Sequence, residues 1–280
     1  MDAPLGPAID TRPLYPRERA ALLDLLRSLT PPEWAAATVC PGWDVHDLAA
    51  HIACDYLRRL SGSRDGHAGA VFEPDDTLPT FLARTNEESV RALRQCSPAV
   101  LIDLIAHFGP QLDALWSGRD PHGPADLDVS WAGSPERPSP AWLDIARDYT
   151  EFWVHQQQIR DAVSRPGADG PELMRPVVDT FLRALPHTLR GEERPPGTAV
   201  RFEVEGPAGG TWEAVHGPGG WRLRPPAGAA DAAARVVLDQ DSLWRLASRG
   251  ITVEEAGRRA AVSGDPALAR AAASLLAIVW

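Results

Sequence analysis

The stretch SRPGADGP, residues 164–171, separates two parts of the chain that have different sequence patterns. Proline removes a backbone donor and glycine loosens the backbone, so such a segment ends a helix. Before it, apolar residues recur at helical spacing; after it, apolar and polar residues alternate as they do in strands. We therefore place a domain boundary here, between residues 1–165 and residues 171–280.

The part before the boundary is predicted to be helical. Apolar residues three and four positions apart form the stripe of an amphipathic helix, and loops rich in Ser, Gly, Asp and Pro interrupt it at 61–77 and 117–140. The helical segments are 16–29, 44–60, 80–94, 99–116 and 141–163. Asp44 is a plausible N-cap for the second of them. The pattern predicts a four-helix bundle.

The part after the boundary is predicted to be a smaller α+β unit. One helix is expected at 172–189, followed by alternating segments with Gly-rich joints that fit hairpin turns. The predicted strands are 199–206, 211–217, 220–225 and 234–239. Helices at 241–247 and from Asp265 to the carboxyl end complete the unit, so the whole chain belongs to the α+β class.

Charge and composition exclude several classes of function. The formal net charge of −10 disfavours binding to nucleic acid or to anionic membranes, because both need a positive surface. No run of apolar residues is long enough to span a bilayer, and MDAPLGPAID lacks the pattern of a secretory signal. We expect a cytoplasmic protein. Its three cysteines are widely spaced, which predicts reduced thiols rather than disulfides or a C-x-x-C motif.

A candidate site lies in TEFWVHQQQIR, residues 150–160. Glu151 and His155 are four residues apart, so both side chains lie on one helix face about one turn apart. His51 borders the apolar stripe of an earlier helix, and in an antiparallel bundle the two borders can face each other. Two imidazoles and a carboxylate are the ligands of an open zinc site. The same spacing also occurs in solvated helix edges, and a lone His beside an apolar stripe is often structural.

Other enzyme motifs are absent from the sequence. The chain has no G-x-S-x-G elbow, no phosphate-binding P-loop and no H-E-x-x-H motif. The glycine-rich joints connect predicted strands and open no helix, so they do not form a dinucleotide-binding fingerprint.

Two motifs of the chain resemble a known family. CPGWDVHDLAAH, residues 40–51, resembles the amino-terminal signature of the mycothiol-dependent maleylpyruvate isomerase family, within the DinB-like superfamily. TEFWVHQQQIRDA, residues 150–162, is similar to that family's second signature. The resemblance implies a DinB-like bundle whose metal ligands are His51, Glu151 and His155. Beyond residue 171 the α+β pattern resembles the sterol-carrier-like domain that many members carry.

The resemblance also implies a chemistry. The implied cofactors are zinc, or another divalent metal, and the small thiol mycothiol as cosubstrate. A thiol in the open position of such a metal loses its proton and becomes a nucleophile. The implied reaction is S-transfer to a small electrophile, or thiol-assisted cis–trans isomerisation. The alternative is a non-catalytic protein that binds a small molecule or a partner and uses any metal structurally, since one fold serves many functions.

Five further residues are weaker candidates for the site. Asp47 precedes His51 by one turn, so it could accept the second ring N–H of that histidine, or serve only in the first turn of its helix. Trp43 and Trp153 could wall the groove, or belong to the core. Arg222 and Arg224 could contact an anion, or be solvated positions of a strand. No residue is assigned a catalytic role from the sequence.

Overall fold

The computed structural model describes residues 5–67, 69–126, 138–226 and 232–277. Residues 127–137 of the predicted loop 117–140 lie outside this description. The first half of the chain contains six α-helices in the described ranges, a short 3₁₀-helix, Arg12–Leu14, before the first of them, and a five-residue π-helical turn, Leu60–Arg64, that continues the third. They are α1 (Tyr15–Ser28), α2 (Pro31–Trp34), α3 (Val45–Arg59), α4 (Leu78–Leu93), α5 (Pro98–Ser117) and α6 (Ala141–Ala162).

Four of these helices form the predicted bundle. α1 packs on α5 and α6, and α3 packs on the same two helices, so these four enclose one core. Its side chains include Leu26, Ile52, Leu112 and Phe152, all fully buried. α4 lies outside the bundle and packs on α3. The α+β class and the helical first half, both predicted from the sequence, are confirmed.

A buried ion cluster joins α3 to α6. Arg59 donates to Asp144 through Nη2 at 2.8 Å and to Asp148 through Nε at 2.8 Å. Tyr15 and Trp116 donate to the second oxygen of Asp148, at 3.2 and 3.0 Å. Both carboxylates are therefore paired or hydrogen-bonded, which a buried charge requires. The cluster therefore fixes the position of α3 relative to α6 along the helix axes.

The segment 164–171 folds back onto α6. Its backbone turns through positive φ at Ser164 (53°) and Ala168 (56°). Trp153 of α6 donates its indole N–H to the Ala168 carbonyl at 2.9 Å, and Gln157 donates to the Gly167 carbonyl at 3.1 Å. The segment ends the helical run as predicted. The division into two domains there stays a prediction.

The second half of the chain contains a five-stranded sheet and five helices in its described ranges. The helices are α7 (Pro171–Leu182), α8 (Leu185–Thr188), α9 (Gln240–Ala247), α10 (Val253–Arg259) and α11 (Pro266–Ala272). The strands are β1 (Ala199–Glu205), β2 (Gly210–Gly217), β3 (Gly220–Arg224), β4 (Ala234–Asp239) and β5 (Ala261–Gly264). The strand order is β3-β2-β1-β4-β5, with β1 and β4 parallel and the other pairs antiparallel.

Three details of this half differ from the sequence prediction. The single helix expected at 172–189 is two helices, because the chain leaves α7 at Arg183 and restarts with Pro186 in the first turn of α8. α10 and β5 were not predicted, since both are short and lack a clear apolar period. The helix expected from Asp265 to the carboxyl end stops at Ala272.

The two halves of the chain share one buried core. α7 packs on both α6 and α9, which links the bundle to the sheet layer. The rings of Trp153 and Trp244 meet edge to face, with centroids 5.7 Å apart. At the surface, Arg245 of α9 pairs with Asp161 of α6 at 2.6 Å. None of the described helices is long and apolar enough to cross a membrane.

Glu18 of α1 makes the stability of the fold depend on pH. Its side chain is 1% exposed, and burial raises its pKa from 4.5 to about 7, against a hydrogen bond from Gln156 that lowers it. Between those values the folded protein keeps a proton that the unfolded chain has released, so stability falls as pH rises through this range. At about 1.4 kcal/mol per pKa unit, the ionised carboxylate costs the fold roughly 3 kcal/mol above pH 7.

We therefore expect Glu18→Gln to raise the free energy of unfolding at pH 8.5 and to leave it nearly unchanged at pH 4.5. Urea denaturation at the two pH values measures the difference. An equal gain at both values would mean that packing, rather than the buried charge, determines the effect.

Candidate metal site

His51 is positioned by the first turns of α3. Asp44 is the N-cap of this helix and accepts a hydrogen bond from the Asp47 backbone N–H at 2.9 Å, as the sequence predicted. His51 follows one turn later between the buried residues Leu48 and Ile52, and is 3% exposed. The indole of Trp43 packs on its ring, with centroids 5.1 Å apart. The imidazole is thus held by packing from the loop that precedes the helix.

Glu151 and His155 are positioned by α6. They occupy successive turns of one face, and Nε2 of His155 lies 2.9 Å from Oε1 of Glu151. The Glu151 side chain is 35% exposed, whereas that of His155 is 11% exposed. The carboxylate is therefore the part of the pair that solvent reaches.

The bundle brings the three residues together. Nε2 of His51 lies 3.7 Å from Oε1 of Glu151, and the rings of His51 and His155 are 4.7 Å apart at an angle of 83°. One ligand atom from each residue can be chosen so that all three lie within 4.8 Å of one another. α3 and α6 run antiparallel. The Arg59 cluster lies about two turns beyond His51 on α3 and fixes the position of α3 relative to α6 along their axes.

The arrangement fits a divalent metal. Donors at about 2.0–2.1 Å from a tetrahedral zinc are roughly 3.3 Å from each other, and the observed separations of 2.9 and 3.7 Å lie on either side of that value. Two imidazoles and one carboxylate leave a fourth position for another ligand. Solvent access at Glu151 gives that ligand a route to the site.

A second cluster of possible ligands lies nearby, at Asp44, His46 and Asp47. Each of its members has another partner. Asp44 caps α3, Asp47 is bound by Arg94, and Nε2 of His46 lies 2.9 Å from the Cys96 carbonyl oxygen. These three residues therefore do not form a free donor set.

Glu151 and His155 of α6 stabilise each other's charged forms. Desolvation would raise the pKa of Glu151, but the charge of His155, its hydrogen bond to the carboxylate and the nearness of His51 hold that pKa well below its usual range. Desolvation would lower the pKa of His155, but Glu151 and a contact with Cys40 raise it well above its usual range. A metal that binds Nε2 of His155 must displace the proton shared with Glu151.

Two residues near His155 were not identified from the sequence. Oε1 of Gln158 lies 2.7 Å from Nδ1 of His155, on the side of the ring that faces away from Glu151. The Cys40 thiol donates to the same oxygen, with Sγ at 3.4 Å. The i, i+3 spacing of His155 and Gln158 was the signal for the first contact. Cys40 comes from a distant loop, and no local pattern connects it to α6.

Asp55 is a further neighbour that the sequence reading missed. It lies one turn after His51 on α3, and its Oδ2 is 3.4 Å from Nε2 of His51. Arg58 binds the other oxygen, and Asn86 in turn accepts from Arg58 at 2.7 Å. A second carboxylate therefore stands at the edge of the site, already paired with a cation.

Of the two roles predicted for Asp47, the structure shows the position in the first turn of α3 and not the contact with the His51 ring. Its two carboxylate oxygens accept hydrogen bonds from Arg94 at 2.9 and 3.0 Å. Among the residues that the structure describes, none accepts a hydrogen bond from Nδ1 of His51. Asp47 therefore ties α3 to the end of α4, and the ring of His51 is oriented by packing.

We expect Asp47→Asn to leave metal binding unchanged while it weakens the contact with Arg94. The ion pair is partly exposed, so the loss of stability should be about 1 kcal/mol or less. Metal content and thermal denaturation of the variant measure both effects. A marked loss of metal without unfolding would restore Asp47 as a partner of His51.

The other weak candidates have different positions. Trp43 contacts His51 and donates to Glu87 at 3.0 Å, so it does lie against the site. Trp153 is fully buried on the opposite face of α6 and packs on Trp244, which contradicts a role as a wall of the groove. Arg224 binds the buried Glu213 at 2.6 Å, which gives it a structural partner in the sheet. Arg222 is exposed on β3, and its anion contact stays a prediction.

The three cysteines are free, as the sequence predicted. Cys40 lies beside Gln158, while Cys54 is buried on α3. Burial is the main cause that raises the pKa of Cys54, to about 11, so this thiol is not a reactive one.

Comparison with known proteins gives a family and a fold. The family described as the mycothiol maleylpyruvate isomerase N-terminal domain matches residues 15–160. The chain is similar to the crystal structure of a histidine-to-alanine mutant of the mycothiol-dependent maleylpyruvate isomerase, at 14% identity over 90% of this chain and 91% of that one, with a TM-score of 0.50. A second crystal structure of the mycothiol-dependent maleylpyruvate isomerase matches at 15% identity over 85% and 88%, with a TM-score of 0.47. No curated protein matches the sequence.

Proposed function

Since this chain belongs to the mycothiol maleylpyruvate isomerase N-terminal domain family, we propose that it is a metal-dependent enzyme that activates mycothiol. The activated thiol would act on a small electrophilic substrate, either by S-transfer or by thiol-assisted cis–trans isomerisation. The observation that carries the proposal is the meeting of His51 with Glu151 and His155, which come from two helices a hundred residues apart in the chain.

His51, Glu151 and His155 would hold the metal, and zinc suits two imidazoles and one carboxylate. When bound, the metal supplies a positive charge that favours the thiolate form of a thiol beside it. Glu151 offsets only part of that charge, since the two imidazoles bind as neutral groups. A net positive charge therefore remains to attract an anionic sulfur.

The surrounding residues would shape the access of the thiol. Trp43 packs on the His51 ring and covers one side of it. Glu151 is the exposed member of the set, so the thiol would approach along its side. A thiolate that adds to a conjugated cis double bond leaves a single bond that can rotate, and elimination then returns the thiol and the trans product. S-transfer differs in that the new carbon–sulfur bond is kept.

The test is to measure bound metal in the purified wild type and to titrate the loaded protein with mycothiol. Cobalt in place of zinc reports the change of ligands through its visible spectrum. We expect about one metal per chain, a spectral change that saturates with mycothiol, and turnover of a cis-configured conjugated acid that requires both. His51→Ala should lose the metal, and His46→Ala is its matched control, because His46 lies on the same helix and contacts the Cys96 carbonyl instead.

Two results would contradict the proposal. A folded wild type that takes up no metal after reconstitution would exclude the metal site. A protein that holds a metal but shows no response to mycothiol would favour a non-catalytic binding protein with a structural metal.

A further inference from the structure

We infer that Gln158 is a positioning residue that fixes the ring of His155 for metal binding, and that Cys40 in turn fixes the amide of Gln158. The inference rests on the proposed function, since it concerns the same site. It assigns a role to two residues outside the ligand set.

The contact between Gln158 and His155 is short and buried. Oε1 of Gln158 lies 2.7 Å from Nδ1 of His155, and Gln158 is 5% exposed. A carbonyl oxygen only accepts hydrogen bonds, so it favours a proton on Nδ1. With the proton held there, Nε2 is the nitrogen that gives up its proton when a metal binds, and its lone pair then points toward Glu151 and His51.

Cys40 makes the amide of Gln158 less free to rotate. Its thiol donates to the same oxygen at 3.4 Å. Two donors on one oxygen favour the orientation in which the carbonyl, and not the amide nitrogen, faces His155. Because Cys40 precedes the turn that leads to Trp43, one loop contacts both sides of the site.

The two histidines of the site are therefore held differently. Within the described part of the chain, Nδ1 of His51 has no acceptor, and that ring relies on packing against Trp43. His155 alone has a hydrogen-bonded partner at its second nitrogen. Such partners orient metal-bound histidines, and their loss commonly weakens metal affinity by about 10–100-fold. We expect a loss of zinc affinity of this size when the side chain of Gln158 is removed.

The experiment compares Gln158→Leu, Gln158→Glu and Gln157→Leu with the wild type. The dissociation constant for zinc is measured by competition with a chelator, and thermal denaturation checks the fold. Gln158→Leu should bind zinc about 10–100-fold more weakly, whereas Gln158→Glu keeps an acceptor and should recover most of the affinity. Gln157→Leu is the matched control, because Gln157 is also a buried glutamine of α6 but donates to the Gly167 carbonyl.

A second readout reports the ring itself. In the zinc-loaded wild type, nitrogen NMR should show a slowly exchanging proton on Nδ1 of His155, and in Gln158→Leu that proton should exchange faster. Cys40→Ala should weaken zinc binding, but less than Gln158→Leu does. Cys40→Ser keeps a donor for Oε1 of Gln158, so its affinity for zinc should be close to that of the wild type.

Two outcomes would overturn the positioning role of Gln158, and a third would overturn the metal site as well. If Gln158→Leu binds zinc as tightly as the wild type, the positioning role is wrong while the metal site stands. If Gln157→Leu loses as much affinity as Gln158→Leu, the effect is general packing of α6, and the inference is again wrong. A wild type that binds no zinc would overturn this inference together with the proposed function.

Discussion

Glu151→Gln should abolish metal retention while it leaves the helical fold intact. The change keeps the shape of the side chain but removes the only negative charge among His51, Glu151 and His155. The metal would then be held by two neutral imidazoles and an amide, and the nearest remaining carboxylate, Asp55, is already paired with Arg58. We expect the affinity for zinc to fall by more than the roughly 100-fold that marks the upper end for an outer-shell partner.

The measurement is the metal-to-protein ratio after dialysis against a graded chelator, with circular dichroism as the check on folding. Glu172→Gln is the control, because Glu172 lies on α7 in an exposed pair with Arg17 at 3.2 Å. Mycothiol-dependent turnover should fall in proportion to the lost metal. A variant that keeps its metal and its affinity would show that Glu151 is not a ligand.

Arg59→Met should be the most destabilising single substitution among the ion pairs described above. Arg59 binds both Asp144 and Asp148, whose side chains are 2% and 7% exposed. Methionine fills a similar space but removes the guanidinium that binds both carboxylates, and only the longer-range charge of the neighbouring Arg147 remains to offset them. Breaking a buried pair in this way commonly costs about 3–5 kcal/mol. Denaturation in urea at neutral pH measures the loss.

Two comparisons make the Arg59 test specific. Arg258→Met removes an arginine from an exposed cluster with Glu254 and Glu255, and should cost less than about 1 kcal/mol. Adding Asp144→Asn and Asp148→Asn to Arg59→Met should recover part of the lost stability, because the unpaired charges are then gone. A small cost for Arg59→Met alone would mean that water or the neighbouring Arg147 compensates the two carboxylates.

The sequence predicted the bundle helices and the shared face of Glu151 and His155 because both depend on helical period, whereas the meeting of His51 with that pair was expected from an antiparallel bundle and from the family resemblance. The stripe of α3 places His51 at the border of the core, and the spacing of Glu151 and His155 places them on one face. The four predicted strands were found within one or two residues at each end for the same reason, since alternation is a local property.

The remaining parts of the site depend on contacts between distant segments. Asp47 pairs with Arg94 rather than with His51, which follows from how α4 packs on α3. Cys40 reaches Gln158 only because the loop before α3 folds over α6. Trp153 is a different case. Positions 151 and 153 lie about 200° apart around a helix, so a site at Glu151 places Trp153 on the other side.

The two faces of α6 make different contacts. One side carries Glu151 and His155, and the other holds the segment 164–171 through Trp153 and Gln157 and meets Trp244 beyond it. The same helix thus carries two of the proposed metal ligands and also packs against the second half of the chain. A substitution that tilts α6 to suit a new substrate would also change the contacts of α6 with segment 164–171 and with Trp244. We therefore expect substitutions at the site and substitutions at that interface to have non-additive effects on stability.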